Sequence, residues 1–416
     1  MKIIILGSGV LGVTAAYELG KRGFDVTVLD RQASSAAETS YANGGQLSYS
    51  HGEPWASPSV LPKLPKWLLR SDAPLVFHPR ADWQMIRWGV RFLRNCTPAR
   101  ANANCVNILR LGLYSKERFD VIRAETGLNF DYAHHGILHI YGTEHDFDQA
   151  KRQNAFQAKF GCDQRELTRE ECLALEPALN YTKRPLVGGI HSIMDESGDA
   201  YLFCNALAAI AAERYGVKFL YGVTINGLRS ENANIIAVDT NQGDLTADGY
   251  VMAMGSYSPV HLRPLGIDIP IYPMKGYSIT IDANDACPSL SLTDGSHKIV
   301  YSRLGNRLRV AGTAEFAGYD TSINEKRIAP IAKAASELLP QANWQQDIRK
   351  WACLRPSTPD GPPVIGPTPY RNLFLNTGHG TLGWTQAAGS AAILADLMEG
   401  KLPAIMLHGL TLERYL

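Results

Sequence analysis

The chain has 416 residues, of which 45% are hydrophobic and 19% charged, and its formal net charge is +1 at pH 7. This length predicts two domains, or one large domain with an insertion, and the composition is typical of a globular protein with a sizeable core. The near-zero net charge gives no general argument for nucleic-acid binding, and no stretch approaches the roughly 18 uninterrupted apolar residues of a membrane-spanning helix.

The seven cysteines are scattered along the chain, at positions 96, 105, 162, 172, 204, 287 and 353. Their number is odd and none is spaced as CxxC, so we expect reduced thiols in a cytoplasmic setting, no metal site and no redox dithiol. The first residues already form a predicted strand, without a charged leader, apolar segment and cleavage site ahead of it. A signal peptide is therefore not predicted.

The first thirty residues predict a βαβ unit that binds a dinucleotide. An aliphatic run from Lys2 to Leu6 leads into a glycine-rich turn, residues 7–12 (GSGVLG), and then into residues with helical periodicity. A second strand, residues 25–29, ends at Asp30. In such units the glycines allow a tight turn and a close approach to a pyrophosphate, while the terminal acid binds the ribose diol. A glycine turn that serves only compact packing remains the alternative.

A polar loop follows the second strand. Residues 38–46 (ETSYANGGQ) are small or polar, where an ordinary dinucleotide-binding domain continues into a helix. Gly44 and Gly45 add no side-chain bulk, while Asn43 and Gln46 offer amide groups. The loop is therefore suited to lie along a flat ring, with a surface turn as the equal alternative.

Residues 50–98 are rich in proline and contain four of the seven tryptophans. Between positions 63 and 94, seven Lys or Arg stand against two Asp, a local excess of +5. One predicted helical face carries four large apolar residues with three arginines nearby: Trp83, Ile86, Val90, Leu93, Arg87, Arg91 and Arg94. Basic residues beside tryptophans suit a membrane headgroup interface. A helical excursion packed on the body of the protein, with its arginines in solvent, remains the alternative.

The middle of the chain alternates helical and strand-like segments. Residues 103–127 have helical periodicity, and a helix with an acidic cap is predicted from Leu202 to Tyr215. A βαβ-like pattern returns at residues 249–254, which predicts that the dinucleotide-binding domain is discontinuous. Residues 270–318 predict a second, antiparallel sheet.

The chain ends with a second glycine-rich loop. A proline-rich segment, residues 354–366 (LRPSTPDGPPVIG), is followed by a strand, and then by residues 377–384 (TGHGTLGW) ahead of a helix rich in small residues. Strand, glycine loop and helix recur here. We therefore expect backbone N–H groups and a helix N-terminus to meet a negatively polarised group, such as the N1/C2=O edge of a reduced flavin.

Taken in order, these motifs resemble the FAD-dependent amine and amino-acid oxidoreductases of the D-amino-acid oxidase and glycine oxidase superfamily. Within it the chain is most similar to the bacterial D-amino-acid dehydrogenase (small subunit) family. The resemblance runs end to end through ILGSGVLGV, Asp30-Arg31, ETSYANGGQ, DESGD, VMAMGSYS, YPMKGYS, RPSTPDGPPVIG and NTGHGTLGW.

The resemblance implies an α/β fold, α+β overall, in which a discontinuous Rossmann-like FAD-binding domain carries an inserted substrate domain with a mixed or antiparallel sheet. The FAD-binding domain is predicted to comprise residues 1–50, 187–262 and 350–416. The substrate domain is predicted to comprise residues 51–186 and 263–349, of which 51–98 form either a peripheral membrane element or a lid.

Non-covalent FAD is the cofactor that the resemblance implies. The ADP half would be bound by Gly7, Gly9, Gly12 and Asp30. The flavin would be lined by Thr39, Ser40, Asn43 and Gly44, and its pyrimidine edge held by residues 380–383. The full set of implied cofactor-binding residues is Gly7, Ser8, Gly9, Val10, Leu11, Gly12, Asp30, Arg31, Thr39, Ser40, Asn43, Gly44, Gly45, Gln46, Val223, Gly255, Gly380, Thr381, Leu382, Gly383 and Trp384.

Arg355 matches the arginine that pairs with the substrate carboxylate in this family. The chemistry agrees, because a guanidinium in a proline-stiffened segment can bind a carboxylate bidentately. The alternative is that Arg355 is a structural partner of Asp360.

The other substrate and catalytic residues are implied by resemblance alone. Related glycine oxidases place a carboxylate-binding tyrosine where Ile299 stands, and Tyr301, two residues on, is the candidate substitute because it shares that face of the strand. His51 occupies the position of a lid aromatic, and Gly380 completes the substrate-binding set. His379 and Lys275 are near-flavin candidates for catalysis.

The implied function is oxidative deamination of D-amino acids, D-alanine and other small or neutral ones, to 2-oxo acids and ammonia by hydride transfer to FAD. The expected partners are the D-amino acid, a quinone-type electron acceptor and a membrane surface, with no nucleic acid. The expected location is cytoplasmic, peripheral on the inner face of the cell membrane. The alternatives are an oxidase of glycine, sarcosine or D-amino acids that reduces O₂, and a flavin-bearing binding protein with a degraded active site.

Overall fold

The structure is a computed structural model that describes residues 1–64, 75–77 and 81–416. Part of the basic stretch between positions 63 and 94 therefore lies outside the described residues. The strands within the described ranges are, in chain order, β1 (Lys2–Leu6), β2 (Asp25–Asp30), β3 (Gln46–Leu47), β4 (Leu75–Phe77), β5 (Ile137–Tyr141), β6 (Gln164–Thr168), β7 (Gly188–Ser192), β8 (Glu196–Ser197), β9 (Lys218–Tyr221), β10 (Ile225–Glu231), β11 (Asn234–Thr240), β12 (Gly243–Leu245), β13 (Gly249–Met252), β14 (Tyr272–Asp282), β15 (Ser291–Asp294), β16 (Ile299–Leu304), β17 (Arg307–Phe316), β18 (Arg349–Ser357), β19 (Val364–Pro367) and β20 (Leu373–Thr377).

The α-helices of the same ranges are α1 (Val10–Lys21), α2 (Trp83–Asn95), α3 (Pro98–Thr126), α4 (Glu144–Ala158), α5 (Arg169–Leu175), α6 (Ala200–Tyr215), α7 (Ser258–Leu262), α8 (Glu325–Leu338) and α9 (Gly383–Met398). The predicted acidic cap is confirmed at α6, where the Asp199 side chain accepts from the backbone N–H groups of Tyr201 and Leu202. Within the described residues, no helix is both long and apolar enough to cross a bilayer.

The first sheet has six strands in the order β19-β20-β13-β1-β2-β9. All neighbouring pairs are parallel except β19 and β20, and β1 lies near the centre. Helix α1 leaves β1 through the glycine turn and packs against α6 and α9. This arrangement places the glycine turn at the carboxyl end of a central parallel strand, which is where open α/β sheets bind their ligands.

The second sheet is mixed and runs in the order β18-β14-β17-β16-β15-β5-β7-β6, with β4 paired to β17. Its register aligns one row of residues across six adjacent strands, β14 to β7: Ser278, Ala311, Val300, Thr293, His139 and Ile190. Side chains in one such row share a face of the sheet. The predicted α/β class with a mixed second sheet is confirmed.

Two strands depart from the predicted domain division. β7 and β18 lie in segments that the sequence assigned to the FAD-binding domain, yet both hydrogen-bond within the second sheet. The reason is physical, because the alternation of apolar residues identifies a strand but does not determine which sheet it joins. The chain therefore passes from the second sheet to the first between the end of β18 at Ser357 and the start of β19 at Val364.

Helix α2 confirms the predicted helical face in residues 83–95. Its inner side buries Trp88 and Phe92 against Phe316 of β17. Its outer side exposes the four predicted apolar residues: Trp83 (66% exposed), Ile86 (49%), Val90 (45%) and Leu93 (49%). The helix therefore packs on the body with one apolar face and presents another to solvent.

Candidate active site

A cavity of about 1750 Å³ extends along both sheets. Its walls are the first glycine turn, the loop of residues 38–46, the second glycine loop and the face of the second sheet that carries the row from Ala311 to Ile190. Nearly all the residues predicted to bind a cofactor lie on this wall; Ser8 and Gly12, which lie behind the turn, do not line it.

The first glycine turn can be built only with glycine at two positions. Gly7 has φ +100°, and a β-carbon there would stand 2.8 Å from the carbonyl oxygen of Ala253. A β-carbon at Gly12 would stand 1.9 Å from the carbonyl oxygen of Gly7. The missing side chains let α1 begin directly against the sheet, so that the amino end of the helix faces the cavity.

Asp30 fixes this turn to the end of β2. The backbone N–H and the hydroxyl of Ser8 both donate to its Oδ2 at 2.7 Å, and the N–H of Gln32 donates to its Oδ1 at 2.9 Å. Next to it, Arg31 bonds Glu38 at 2.7 Å and lies over the ring of Tyr257. Asp30 and Arg31 both line the cavity, while Ser8 acts through Asp30.

The loop of residues 38–46 lies flat on the second sheet, so the surface-turn alternative is wrong. Ser302 and Ser278 donate to the carbonyl oxygens of Gly44 and Ala42, both at 2.7 Å. A β-carbon at Gly44 would stand 2.7 Å from Cγ2 of Val300, which is why glycine is required there.

The amide groups of the same loop are used inside the protein. The Nε2 of Gln46 donates to the hydroxyl of Ser291 at 2.9 Å, and the Oδ1 of Asn43 accepts from the N–H of Gly45 at 3.0 Å. Their side chains therefore hold the loop in shape at the cavity wall.

Arg355 projects from β18 across the neighbouring strand. A β-carbon at Gly276 of β14 would stand 2.3 Å from the guanidinium carbon, and Nη1 donates to the carbonyl oxygen of Thr313 at 3.0 Å. Burial lowers the pKa of Arg355 to about 10, and within the described residues its guanidinium has no carboxylate partner. The guanidinium therefore lines the cavity with most of its donors free.

The alternative role of Arg355 as a partner of Asp360 is wrong. Asp360 accepts from Nε of Arg414 at 2.8 Å and from the hydroxyl of Tyr415. This pair ties the last turn of the chain to the proline-rich segment and leaves Arg355 to the cavity.

Thr313, which holds Arg355, is itself strained. It has φ +55°, a left-handed conformation that is a real outlier for a β-branched residue. The pairing of β14 and β17 shifts register beside it, between Gly276 and Tyr277, so a bulge turns the Thr313 carbonyl toward the guanidinium. Such strain costs about 1 to 3 kcal/mol and is typical of functional sites. No sequence signal marked this residue.

The second glycine loop places a neutral histidine at the cavity wall. Burial lowers the pKa of His379 to about 3, so the ring is neutral at physiological pH. Its Nε2 lies 2.9 Å from the hydroxyl of Ser390 in α9. The following residue, Gly380, has φ +52° and donates to the carbonyl oxygen of Pro356 at 2.9 Å, which joins this loop to the segment of Arg355.

Two predicted residues do not reach the cavity. Tyr301 is buried in the apolar cluster beneath α8, because it alternates with Val300, whose side chain faces the cavity. Lys275 is buried on the opposite face of β14 from Gly276, and its Nζ donates to Asp320 at 3.0 Å. Their assignment to substrate binding or catalysis is corrected by the alternation of the strands.

The remaining wall contains two stacked imidazoles that come from distant parts of the chain. His51 and His139 lie with ring centroids 6.3 Å apart and an interplanar angle of 11°. Burial lowers the pKa of both, that of His139 to about 3. His51, the residue predicted at the lid position, therefore lines the cavity. His139 also lines it, but only the register of the second sheet shows this, and the sequence did not predict it.

All seven cysteines are buried as free thiols. In the part of the chain that the structure describes, no three His, Cys, Asp or Glu side chains are grouped so as to hold a metal ion.

Comparison with known proteins gives concordant matches. A family model described as FAD dependent oxidoreductase matches residues 2–397. The chain is 47% identical over 410 residues to a D-amino acid dehydrogenase of Dechloromonas aromatica (strain RCB), covering 97% of this chain and 98% of that protein. It is also 47% identical over 418 residues to a D-amino acid dehydrogenase of Paramagnetospirillum magneticum, covering 100% and 99%.

Among solved structures, the fold is similar to that of glycine oxidase from Geobacillus kaustophilus. The TM-score is 0.79 at 23% identity, and the match covers 100% of this chain and 98% of that one. The L-proline dehydrogenase from P. horikoshii gives a TM-score of 0.74 at 20% identity, covering 100% and 97%. At these identities the likeness concerns the fold alone.

Proposed function

Because the chain belongs to the family of FAD-dependent oxidoreductases, and within it to the D-amino acid dehydrogenases, we propose that it deaminates D-amino acids, small neutral ones such as D-alanine among them, and delivers the electrons to a quinone-type acceptor. The chemistry that bound FAD would supply is acceptance of the substrate's α-hydrogen as hydride. Hydrolysis of the imino acid then gives a 2-oxo acid and ammonia.

The residues of the cavity fit non-covalent FAD. Within the described residues, three buried polar atoms around the second glycine loop have no hydrogen-bond partner: Oδ1 of Asn376, Nδ1 of His379 and Nε1 of Trp384. Orphaned buried polar groups of this kind indicate a polar ligand. On the other side, the glycine turn and the amino end of α1 provide the N–H groups that a pyrophosphate requires.

The proposed cofactor contacts follow the two glycine loops. The ADP half is assigned to the turn at Gly7 and Gly9, with Asp30 at the ribose and Val223 at the adenine. The ring is assigned to residues 39–46 and 380–384. A β-carbon at Gly44 or Gly45 would meet side chains of the second sheet, so the loop lies close against that sheet and these two residues carry no side chain that could obstruct a planar group.

The proposed role of Arg355 carries the function most directly. A guanidinium that lines a cavity and has no carboxylate partner among the described residues is suited to bind the carboxylate of an amino acid through two parallel hydrogen bonds. Its contact with the carbonyl oxygen of Thr313 holds the fork in one orientation before substrate arrives. Arg355 would thereby fix the α-carbon for hydride transfer.

His379 is assigned a supporting role at the ring. Since the pKa of His379 is about 3, its imidazole is uncharged at neutral pH and acts as a neutral hydrogen-bonding group. The Ser390 hydroxyl fixes the orientation of the imidazole. We assign no side chain as an obligatory general base.

Peripheral docking on an anionic bilayer is the proposed route to the quinone. The outer face of α2 exposes four large apolar side chains, and the sequence from position 63 to 94, which includes this helix, carries a basic excess of +5. An amphipathic helix with such a face binds at the interface plane, and basic residues near anionic lipid add about 1 kcal/mol each. The proposed location is therefore cytoplasmic, on the inner face of the cell membrane.

An anaerobic titration of the purified yellow protein with a panel of D- and L-amino acids tests this function. We expect D-alanine to bleach the flavin absorbance band and L-alanine to leave that band unchanged. Re-oxidation of the bleached protein should be fast with a quinone analogue and slow with O₂. Bleaching by L-alanine in preference to D-alanine, or rapid formation of peroxide, would contradict the proposal.

A further inference from the structure

The cavity continues past Arg355 and the glycine loops. The cavity of about 1750 Å³ includes the space assigned to FAD, and its wall extends beyond the residues assigned to the cofactor. The additional wall is formed by residues 51–60, the amino end of α3, and His139 and Tyr141 of β5. This part of the cavity has space for an elongated substrate side chain.

One carboxylate lines this wall without a hydrogen bond or ion pair from the described residues, and its charge acts on the nearby His51. Glu53 is half-buried and faces the cavity. Among the described residues, no hydrogen-bond donor and no Lys, Arg or His side chain within 4.0 Å contacts its oxygens. A carboxylate taken partly out of water without a partner is costly unless a ligand supplies one.

The segment that carries Glu53 is held at three points. The N–H and hydroxyl of Ser50 donate to Asp195 at 2.9 and 2.7 Å, and the N–H of Gly52 donates to Oε1 of Gln157 at 3.1 Å. Pro54 packs on Gly361, where a β-carbon would stand 3.1 Å from its Cβ. The backbone of Glu53 is therefore fixed before a ligand binds, which lowers the entropic cost of binding.

The remaining groups of this wall do not neutralise Glu53. Burial lowers the pKa of His139 to about 3, and it also lowers the pKa of His51, where the charge of Glu53 opposes the shift. Lys298 and Arg152 are exposed at the rim, and Asp146 of α4 is used to bond Thr143. Of the two carboxylates on this wall, Asp146 already accepts a hydrogen bond from Thr143, whereas Glu53 accepts none from the described residues and is available to a cationic group.

We propose that Glu53 binds the cationic side chain of basic D-amino acids, such as D-arginine and D-lysine, while Arg355 binds their α-carboxylate. This proposal rests on the proposed function and adds a second substrate class to the small neutral one. A guanidinium and a carboxylate form short, charge-assisted hydrogen bonds, and two such anchors at opposite ends of one substrate would fix its α-carbon.

The test compares D-arginine with its neutral isostere D-citrulline, in the wild-type enzyme and in Glu53→Gln. The wild type should have a higher kcat/KM for D-arginine, chiefly through KM. In Glu53→Gln the ratio of the two kcat/KM values should fall by about 10- to 100-fold, as expected for a lost hydrogen bond between charged groups. Lys298→Gln, which removes a charge at the rim of the same compartment, is the matched control and should keep the wild-type ratio or raise it.

Three outcomes would overturn the assignment: a wild-type enzyme that does not distinguish D-arginine from D-citrulline, an equal loss on both substrates in Glu53→Gln, or the same fall in ratio in Lys298→Gln. Activity with D-alanine distinguishes failure of the Glu53 assignment from failure of the proposed function. An enzyme that D-alanine bleaches but whose ratio does not respond to Glu53→Gln contradicts the role of Glu53 alone. An enzyme that no D-amino acid bleaches contradicts the proposed function itself.

Discussion

The guanidinium of Arg355 lies across the bare α-carbon of Gly276, one strand away. A β-carbon at Gly276 would stand 2.3 Å from Cζ and 2.4 Å from Nη2 of Arg355. Non-bonded atoms do not approach each other this closely, so the glycine leaves the space that the guanidinium occupies. The position of the proposed carboxylate anchor is thus set by the absence of a side chain on the neighbouring strand.

Gly276→Ala should therefore displace Arg355 while leaving its charge in place. We expect KM for D-alanine to rise by at least about tenfold, since a misplacement of about 1 Å can cost 10²-fold in rate. Steady-state kinetics with a soluble dye would measure this, with flavin content as a check on folding. Gly227→Ala is the matched control, because it is also a strand glycine and has open space where the methyl would go. A normal KM in Gly276→Ala would show that the guanidinium finds another productive position.

Removing the anchor itself should have a larger effect. Arg355→Ala should weaken transition-state binding by about 2 to 5 kcal/mol, the cost of truncating one partner of a buried charge pair. Arg355→Lys should recover only part, because a point charge does not reproduce the planar fork. The measurement is kcat/KM for D-alanine together with bound FAD per chain. Loss of flavin in Arg355→Ala, or a near-normal KM, would contradict the role.

Asp195 should make the stability of the protein depend on pH. Burial raises its pKa from 3.8 to about 7, against the opposing hydrogen bonds from Ser50. Because the folded pKa is the higher one, the fold favours the protonated form. Its stabilising contribution is complete below pH 4 and is lost as the pH rises through 7.

The variant Asp195→Asn should therefore gain stability relative to the wild type between pH 4 and 7, by at most about 1.4 kcal/mol per pH unit, and the difference should level off above that window. Urea unfolding of both proteins at pH 5 and pH 8 would measure it. Asp163→Asn, a change at an exposed carboxylate, serves as control. Its difference in free energy of unfolding from the wild type should be the same at pH 5 and pH 8. A difference for Asp195→Asn that is the same at both pH values would contradict the raised pKa.

The membrane proposal predicts that changes in α2 slow the reduction of long-tailed quinones but not the reduction of a soluble dye. Replacing Trp83 and Leu93 of α2 by serine should weaken sedimentation with anionic liposomes and slow the reduction of long-tailed quinones, because both apolar side chains are exposed on the outer face of the helix. Activity with a soluble dye should persist. Leu402→Ser, at an apolar residue that is 95% exposed elsewhere on the surface, is the control.

The basic residues of α2 should contribute in a salt-dependent way. Glutamine at Arg87, Arg91 and Arg94 should weaken liposome binding, and wild-type binding should fall as salt rises because the attraction is screened. Arg87 also bonds Asp268 at 2.5 Å, so the thermal stability of the triple variant must be followed in parallel. Wild-type protein that fails to sediment with anionic liposomes at low salt would show that α2 packs on the body of the protein without binding a membrane.

The sequence by itself determined the features that are local. The turn at Gly7 and Gly12, the acid at Asp30 and the second glycine loop could be read because their geometry depends on residues within one strand, turn and helix. The fold class and the family followed, since motifs in a fixed order specify both. Arg355 was also found from sequence, because its residue type and proline-rich context match its chemistry.

Only the tertiary structure decided which side of each strand meets the cavity. Alternation of side chains says that Lys275 and Gly276 face opposite ways, and likewise Val300 and Tyr301, but sheet register and the position of α8 determine which of them is inside. The same holds for contacts between distant segments. Asp360 pairs with Arg414 rather than Arg355 because the end of the chain folds back on the proline-rich segment, and no local pattern carries that information.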